Sequence, residues 1–124
     1  VAERAGTMAA LMNQKIIGVV ENMSWLAFTA PDTGKEYRID LFGSGGGQEA
    51  ADALSKRLGT EVPLLAQVPM DIELRKGGDE GDPIVTAHPE SPAAQAIVEL
   101  AKILDSRPRG LSGMHLGVSP TNNA

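Results

Sequence analysis

The spacing of apolar positions changes along the chain, and each spacing predicts an element. Residues 1–12 and 48–58 carry small and apolar side chains three and four positions apart, which is typical of amphipathic helices. Residues 15–20 and 62–68 are short, continuous apolar runs, which suit strands covered on both faces in a parallel sheet. In chain order the pattern predicts a helix over 1–12, a strand over 15–20, a hairpin with strands over 25–29 and 36–42, a helix over 48–58, a strand over 62–68, a short helix over 72–76, a loop over 79–89 and a last helix from Ser91 to about Leu104.

Strands that alternate with helices favour an α/β fold with a parallel sheet. Two buried strands do not complete a sheet, and the chain begins at Val1 inside a predicted helix, so we expect further strands upstream and interpret the chain as a fragment. Residues 1–105 are expected to be part of one domain, and residues 106–124 a flexible tail. The expected inward-facing residues are Val1, Ala5, Met8 and Leu11 or Met12 in the first helix, Ala51, Leu54 and Leu58 in the second, and Ala94, Ile97, Val98, Ala101 and Leu104 in the last.

Composition excludes several classes of protein. The net charge of −5 argues against nucleic-acid binding, which needs a concentrated basic patch. The chain has no cysteine, so it can form no disulfide, no thiolate metal site and no cysteine nucleophile. No apolar run approaches membrane-spanning length, and we predict a cytoplasmic protein without a membrane partner. The aromatic residues all fall within 25–42, which indicates local packing there: Trp25, Phe28, Tyr37 and Phe42.

A run of glycines, 43–47, precedes the second predicted helix and invites comparison with phosphate-binding loops. The P-loop pattern G-x-x-x-x-G-K-[ST] fails, because Gln48 and Glu49 stand where a glycine and the lysine are needed. The dinucleotide pattern G-x-G-x-x-G also fails at Gln48. We therefore favour a flexible or tight turn over a phosphate site. A third alternative is that the glycines allow another chain to approach closely.

Polar residues follow both buried strands. Asn22 comes just after the first strand, and Pro69 to Ile72 follow the second. Ligands of open α/β sheets bind outside the carboxyl ends of the strands, so these residues are expected to face one crevice. The amide of Asn22 can both donate to and accept from a purine edge. A turn-forming asparagine is the alternative, and both interpretations stay open.

Other candidate sites are weaker. Asp79, Glu80 and Asp82 form an acidic loop that could hold Mg²⁺, but a solvated surface is the better interpretation. His88 and His115 have no second ligand at a suitable spacing, so no metal is assigned to either.

Three motifs together resemble one family. The chain contains, in this order, I-I-G-V-V-E-N-M-S, F-G-S-G-G-G-Q, and V-P-L-L-A-Q-V-P-M-D with I-x-L-R-x-G-G-D-x-G-x-P-I. This set of motifs is similar to that of the Mrp (ApbC-like) iron–sulfur cluster carrier family. These are deviant-Walker P-loop ATPases related to MinD and ParA. The resemblance covers about residues 1–104 and implies the C-terminal part of a doubly wound, mainly parallel nucleotide-binding domain with an inserted β-hairpin.

The resemblance also implies a cofactor site and partners. Asn22 would contact the adenine of ATP, and Pro69, Met70, Asp71 and Ile72 would flank it. Mg²⁺ and the phosphates would be held mainly by residues outside this chain. Members act as homodimers, so the glycine run would lie toward a partner. Iron–sulfur client or scaffold proteins are further expected partners.

One departure from the family pattern concerns the cluster. Many members carry C-P-x-C-G between the first two motifs, where two cysteines per subunit hold a bridging cluster. Here the stretch reads Ala30-Pro31-Asp32-Thr33-Gly34, so alanine and threonine stand where the thiolates would be. Neither side chain ligates iron as a thiolate does. Either the protein holds a cluster with upstream cysteines, or it binds none in this way and serves in ATP-driven handling of a partner.

The leading hypothesis is therefore the adenine-side, dimer-facing part of a slow ATPase that serves iron–sulfur maturation. The chain lacks the P-loop and is expected to be inactive alone. An alternative is a non-catalytic interaction module that docks partners through the aromatic hairpin, residues 25–42. A MinD/ParA-type positioning ATPase ranks lower, because residues 107–124 are too rich in glycine and proline for a basic amphipathic membrane helix.

Overall fold

The computed structural model describes residues 1–107, and within them it has the predicted alternation of helices and strands. His115 and the predicted tail from residue 108 onward lie outside the described residues. Within residues 1–107 no helix has the length and apolar character needed to cross a membrane. The elements are α1 (Ala2–Leu11), β1 (Val19–Glu21), β2 (Leu26–Thr29), β3 (Glu36–Ile39), α2 (Gly46–Leu58), β4 (Leu64–Gln67), α3 (Ile72–Glu80), α4 (Ile84–Ala87) and α5 (Pro92–Ser106).

Strands β1 and β4 pair in parallel, as the sequence predicts. Their register places Val19 beside Leu64 and Glu21 beside Gln67, so both strands end at the same level. Helix α2 belongs to the connection between them and packs against β1, β4 and α1. It ends at Gly59, whose φ of 69° is left-handed, as the predicted stop requires.

Both parallel strands are shorter than predicted. Residues 15–18 and residues 62–63 were expected to be strand, yet the ladder covers only Val19–Glu21 and Leu64–Gln67. The reason is that a strand needs a hydrogen-bonded neighbour, and among the described residues β1 has only β4 beside it. The expected covering on both faces is also absent for the first run, because none of residues 15–20 is buried and Ile17 and Val20 are exposed.

The hairpin of β2 and β3 is antiparallel, as predicted, although β3 ends at Ile39 rather than at residue 42. It is attached to the parallel pair, since Leu26 forms a parallel bridge with Met70. The Met70 amide donates to the Trp25 carbonyl oxygen over 2.7 Å. The hairpin therefore begins at the level where β1 and β4 end.

The third helix is longer than predicted. Instead of stopping at Gly77 and Gly78, α3 runs to Glu80 and ends at Gly81, which has a φ of 76°. Gly77 allows a close approach, because its carbonyl accepts from the Asp82 amide over 2.8 Å and a side chain at 77 would collide with the Asp82 carbonyl. The predicted loop over 79–89 also contains a short helix, α4.

Helix α5 begins as predicted, with Ser91 Oγ accepting from the Ala94 amide and a proline in the first turn. Its first turn is buried: Ala93 and Ala94 pack with Val68 and Ile84 in the main apolar cluster. The predicted inward face is wrong further along. Val98, Ala101 and Leu104, which were expected to face inward, are exposed in the described part of the chain. Two paired strands are too narrow to cover the later turns of a 15-residue helix.

The inner face of α1 is also different from the prediction. Its buried residue is Gly6, which lies against the side chain of Leu54 in α2. Val1, Met8 and Leu11 are exposed, because α1 approaches α2 through its smallest residue rather than through its large apolar ones.

A half-buried hydroxyl joins α2 to the segment leading into β4. Ser55 Oγ accepts from the Val62 amide over 2.8 Å and donates to the Ala51 carbonyl oxygen over 2.8 Å. Val62 is 1 % exposed, so water does not replace this bond when the hydroxyl is removed.

We predict that Ser55→Ala lowers the free energy of unfolding by about 1–3 kcal/mol, because it leaves the buried Val62 amide without an acceptor. Urea unfolding followed by circular dichroism measures the loss. Ser106→Ala is the matched control, since Ser106 Oγ bonds the Ile103 carbonyl oxygen at an exposed position. Equal, small effects of about 0.5 kcal/mol for both variants would contradict the prediction.

Candidate functional site

The ends of β1 and β4 border one cavity of about 320 Å³. All residues predicted for the strand-end site line it, namely Asn22, Pro69, Met70, Asp71 and Ile72. The structure therefore brings these residues together as expected, while their contact with a nucleotide stays a prediction. The sequence interpretation missed four other lining residues: Met23, Leu26, Leu74 and Arg75.

The missed residues carry sequence signals that could have found them. Leu74 and Arg75 lie three and four positions after Asp71, so they share a helical face with the start of α3. Leu26 opens β2 next to the bridge with Met70, but that bridge cannot be inferred from spacing.

Asn22 lies in a tight turn directly after β1. Its Oδ1 accepts from the Met23 amide over 2.8 Å, and Met23 has a left-handed φ of 54°. Nδ2 of Asn22 has no hydrogen-bond partner among residues 1–107. The turn-forming interpretation of Asn22 is therefore confirmed, while contact of the remaining donor with a purine stays a prediction.

Ser24 holds this turn against β4. It is 6 % exposed, its amide donates to the Val68 carbonyl oxygen over 3.0 Å, and its Oγ donates to the Glu21 carbonyl oxygen over 2.8 Å. The backbone that carries Asn22 is therefore fixed at both ends.

The residues after β4 contribute a buried proline and a helix cap to the cavity. Pro69 is fully buried, and Asp71 Oδ1 accepts from the amides of Glu73 and Leu74 over 2.8 and 3.3 Å. Asp71 is therefore the N-cap of α3, a role that the sequence interpretation did not assign. Ile72 lies at the rim and is 71 % exposed.

The residues that line the cavity are suited to binding a ligand. Its walls are mainly apolar, with one amide, one capped carboxylate and the Arg75 guanidinium, which pairs with Asp79 over 3.1 Å. The volume lies at the small end of ligand pockets, which span about 300–1,000 Å³. Among residues 1–107 no group of three or more histidine, aspartate or glutamate side chains is placed to hold a metal ion. A flat apolar group with a polar edge suits such a cavity.

The glycine run forms a tight turn. Gly43 and Gly45 have φ values of 79° and 87°, and α2 starts immediately afterwards without a side-chain cap. The Glu21 side chain lies against Gly47, where an added Cβ would meet Oε1 at 2.7 Å. At Gly47 the close approach is made by the chain's own Glu21, whereas a Cβ at Gly43 or Gly45 would meet nothing within 4 Å among the described residues. A phosphate at this helix start would meet that carboxylate and Glu49 in the first turn.

The tip of the hairpin is closed by backbone hydrogen bonds. The Ala30 amide donates to the Lys35 carbonyl oxygen, and the Gly34 amide donates to the Ala30 carbonyl oxygen, both over 2.8 Å. Gly34 has a φ of 70°, and Thr33 Oγ1 accepts from the Lys35 amide over 3.3 Å. The tip offers hydroxyl and carboxylate oxygens but no thiolate, so it does not fit an iron–sulfur cluster.

The two faces of the hairpin differ in chemistry. Opposite residues in the register share a face, so the pairs Leu26–Ile39 and Phe28–Tyr37 form an apolar face. The rings of Phe28 and Tyr37 stack with centroids 5.3 Å apart and are 45 % and 43 % exposed. Trp25 is instead covered by the Arg38 guanidinium, which lies 3.8 Å from its ring centroid. Apart from that covered ring, the aromatic residues are exposed, and Phe42 is 72 % exposed, so the expected local packing is incomplete.

Comparison with known proteins identifies the relatives of this chain. The ParA family model described as "NUBPL iron-transfer P-loop NTPase" matches residues 1–105. An iron–sulfur cluster carrier protein of Mycobacterium leprae is 47 % identical over 121 residues, which are 98 % of this chain and 30 % of that protein. The carrier protein of Deinococcus radiodurans is 47 % identical over 103 residues, which are 83 % of this chain and 26 % of the relative.

A solved structure agrees with this relationship. The septum site-determining protein MinD of Pyrococcus horikoshii, described as complexed with Mg-ADP, matches 90 % of this chain and 36 % of its own with a TM-score of 0.58 and 27 % identity. The α/β fold with a parallel strand pair is thus part of the P-loop NTPase fold. The chain spans 30 % and 26 % of the two carrier proteins and 36 % of the MinD chain. It belongs to the ParA-type family of iron-transfer P-loop NTPases, in the group of the Mrp iron–sulfur cluster carriers.

Proposed function

We propose that this chain is the adenine-side, dimer-facing part of an ATP-binding and ATP-hydrolysing protein that carries or assembles iron–sulfur clusters. The observation that carries the proposal is the convergence of Asn22 and residues 69–72 on one apolar cavity at the strand ends. A cavity with apolar walls takes up a purine ring by burying its faces, while the free Nδ2 of Asn22 donates to a ring nitrogen. The MinD relative described with Mg-ADP supports a nucleotide as the occupant.

The rest of the reaction would depend on residues outside this chain. The sequence contains no G-x-x-x-x-G-K-[ST] motif, so the phosphates and Mg²⁺ would be held by another part of the protein. In this proposal residues 1–105 are one portion of the nucleotide-binding domain, and two copies associate in the cytoplasm with the glycine run facing the partner. The chain's own residues bind and orient the base but supply no group to the reacting phosphate.

We predict that Asn22→Ala weakens MgADP binding by the full-length product of the gene about threefold to tenfold, the equivalent of a lost hydrogen bond of about 0.5–1.5 kcal/mol. Isothermal titration calorimetry measures the dissociation constant. Tripolyphosphate, which has no base, should bind the variant and the wild type equally. Gln95→Ala removes an exposed amide on α5 and is the control. Equal loss of tripolyphosphate and MgADP affinity would show that Asn22 acts on the fold rather than on the base.

The hairpin tip leads to a prediction about the cluster. The wild-type chain, reconstituted anaerobically with ferrous iron and sulfide, should acquire no charge-transfer absorption, because position 30 has no donor and position 33 has only a hydroxyl. The double variant Ala30→Cys, Thr33→Cys should gain iron and sulfide when two copies associate, since both positions lie in one turn closed by backbone bonds and two tips supply four thiolates.

The single variant Thr33→Cys is the control for the double substitution, because it adds one thiolate to the same turn. Stoichiometric iron and sulfide on the cysteine-free wild type would overturn the interpretation of the tip. Failure of the double variant to bind iron, in a sample shown to be dimeric by size-exclusion chromatography, would show that the turn does not hold the two positions in a ligating arrangement.

A second candidate function, a protein-interaction module, is favoured by the exposed apolar face of the hairpin. Phe28 and Tyr37 form a stacked pair that the described residues leave accessible. Aromatic side chains of this kind contribute strongly to binding surfaces. Trp25 lies on the opposite face beneath Arg38, so Tyr37 tests the hypothesis more directly than Trp25 does.

We predict that Tyr37→Ala abolishes partner capture in a pull-down from the source organism, while the MgADP affinity of the full-length protein is unchanged. Tyr37→Phe keeps the stacked ring and should retain the partner. Capture that survives Tyr37→Ala would remove this candidate function, and a fall in MgADP affinity would place Tyr37 in the nucleotide site instead.

A further inference from the structure

The glycine run and the end of β1 are far apart in sequence but meet through one side chain. Glu21 is the last residue of β1, and its Oε1 accepts from Gln67 Nε2 over 2.8 Å. The rest of the side chain lies on the backbone of α2, where a Cβ on Gly47 would come within 2.8 Å of Glu21 Cβ. Glu21 therefore touches both of the elements that flank β1.

The side chain of Glu21 adds support to the end of β1. Strand β1 has three residues, and within residues 1–107 it has a ladder neighbour on one side only. Asn22 follows immediately, and the left-handed Met23 comes after it. The backbone of this turn is held by the bonds of Ser24 to Val68 and Glu21, and the side chain of Glu21 adds a contact between the strand end and the start of α2.

Electrostatics favours a carboxylate at this position. Helix α2 begins at Gly46 with Gly45 as N-cap, and no side chain caps its first amides. The positive end of a helix dipole stabilises a nearby negative charge. Successive residues of an extended segment point to opposite sides, so Glu21 faces α2 while Asn22 faces the cavity.

We propose that Glu21 is a positioning residue for the cavity: held by Gln67 and by the backbone of Gly47, it fixes the strand end from which Asn22 reaches a bound base. The inference rests on the proposed binding of a nucleotide at this cavity. It joins the E-N-M-S and F-G-S-G-G-G stretches physically, because the side chain of Glu21 packs on the backbone of Gly47.

The test uses the full-length product of the gene and two matched pairs of variants. Glu21→Ala should raise the dissociation constant of MgADP about tenfold, the equivalent of about 1.4 kcal/mol. Glu21→Gln keeps the shape and the acceptor for Gln67 and should stay within about threefold of the wild type. Gly47→Ala should act like Glu21→Ala, whereas Gly46→Ala should be neutral, because a Cβ at 46 lies 3.9 Å from Glu21 Oε2. Glu61→Ala removes an exposed carboxylate and is the second control.

Two further readouts separate positioning from a general loss of structure. Hydrogen exchange of the ligand-free protein should become faster at the amides of residues 22–24 in Glu21→Ala and Gly47→Ala. Tripolyphosphate affinity should not change, since the phosphates are held elsewhere in the proposal. An equal loss of tripolyphosphate affinity would mean that Glu21 supports the whole domain, and the inference would be wrong.

The outcome also distinguishes this inference from the proposed function. If Asn22→Ala weakens MgADP binding and Glu21→Ala does not, the cavity binds the base and Glu21 does not position it. If neither variant affects binding, or the wild type binds no MgADP, the proposed function and the inference both fail.

Discussion

The parallel pairing of β1 with β4 is the constraint on which the candidate site depends. The register sets Glu21 beside Gln67, so the two strands stop at the same level and their following residues enter one crevice. A slip of one residue would turn each side chain to the opposite face and would remove either Asn22 or the Pro69 segment from the cavity. The hairpin is fixed by the same ladder, since the bridge between Leu26 and Met70 continues it beyond the strand ends.

The glycines of this chain serve two distinct physical purposes. Gly59 and Gly81 end helices because they adopt a left-handed conformation that costs other residues energy. Gly47 and Gly77 instead lie where a neighbouring group comes too close for a Cβ. The sequence shows the same letter in both cases, which explains why the end of α3 was predicted at Gly77 and Gly78. A helix continues through a glycine at which a neighbouring group approaches closely, and it ends at a glycine with a positive φ.

The order of elements, the hairpin and the convergence of the strand-end residues could be predicted from sequence, because all three depend on local pattern and on the general geometry of parallel sheets. The length of the strands and the burial of the helix faces could not be predicted, because both depend on which other elements lie beside them. The sequence of residues 15–18 is typical of a strand, but these residues form one only if another strand is hydrogen-bonded to them. Val98 and Leu104 have the spacing of an inner face, yet nothing in the described part of the chain covers them. The N-cap role of Asp71 was missed because its position after a strand suggested a ligand contact first.

The hairpin shows that a turn can keep its shape without the groups that bind a cluster. Its tip is held by bonds between the backbones of Ala30, Gly34 and Lys35, and by the left-handed conformation of Gly34. Position 30 contributes only backbone to these bonds, and Thr33 adds one long hydrogen bond of 3.3 Å. Exchanging the side chains at 30 and 33 therefore has little effect on the fold, and cluster ligation is separable from hairpin formation. What remains constant in such an exchange is the apolar face of Phe28 and Tyr37, which does not depend on the tip. A role of the hairpin that is independent of a cluster must use that face.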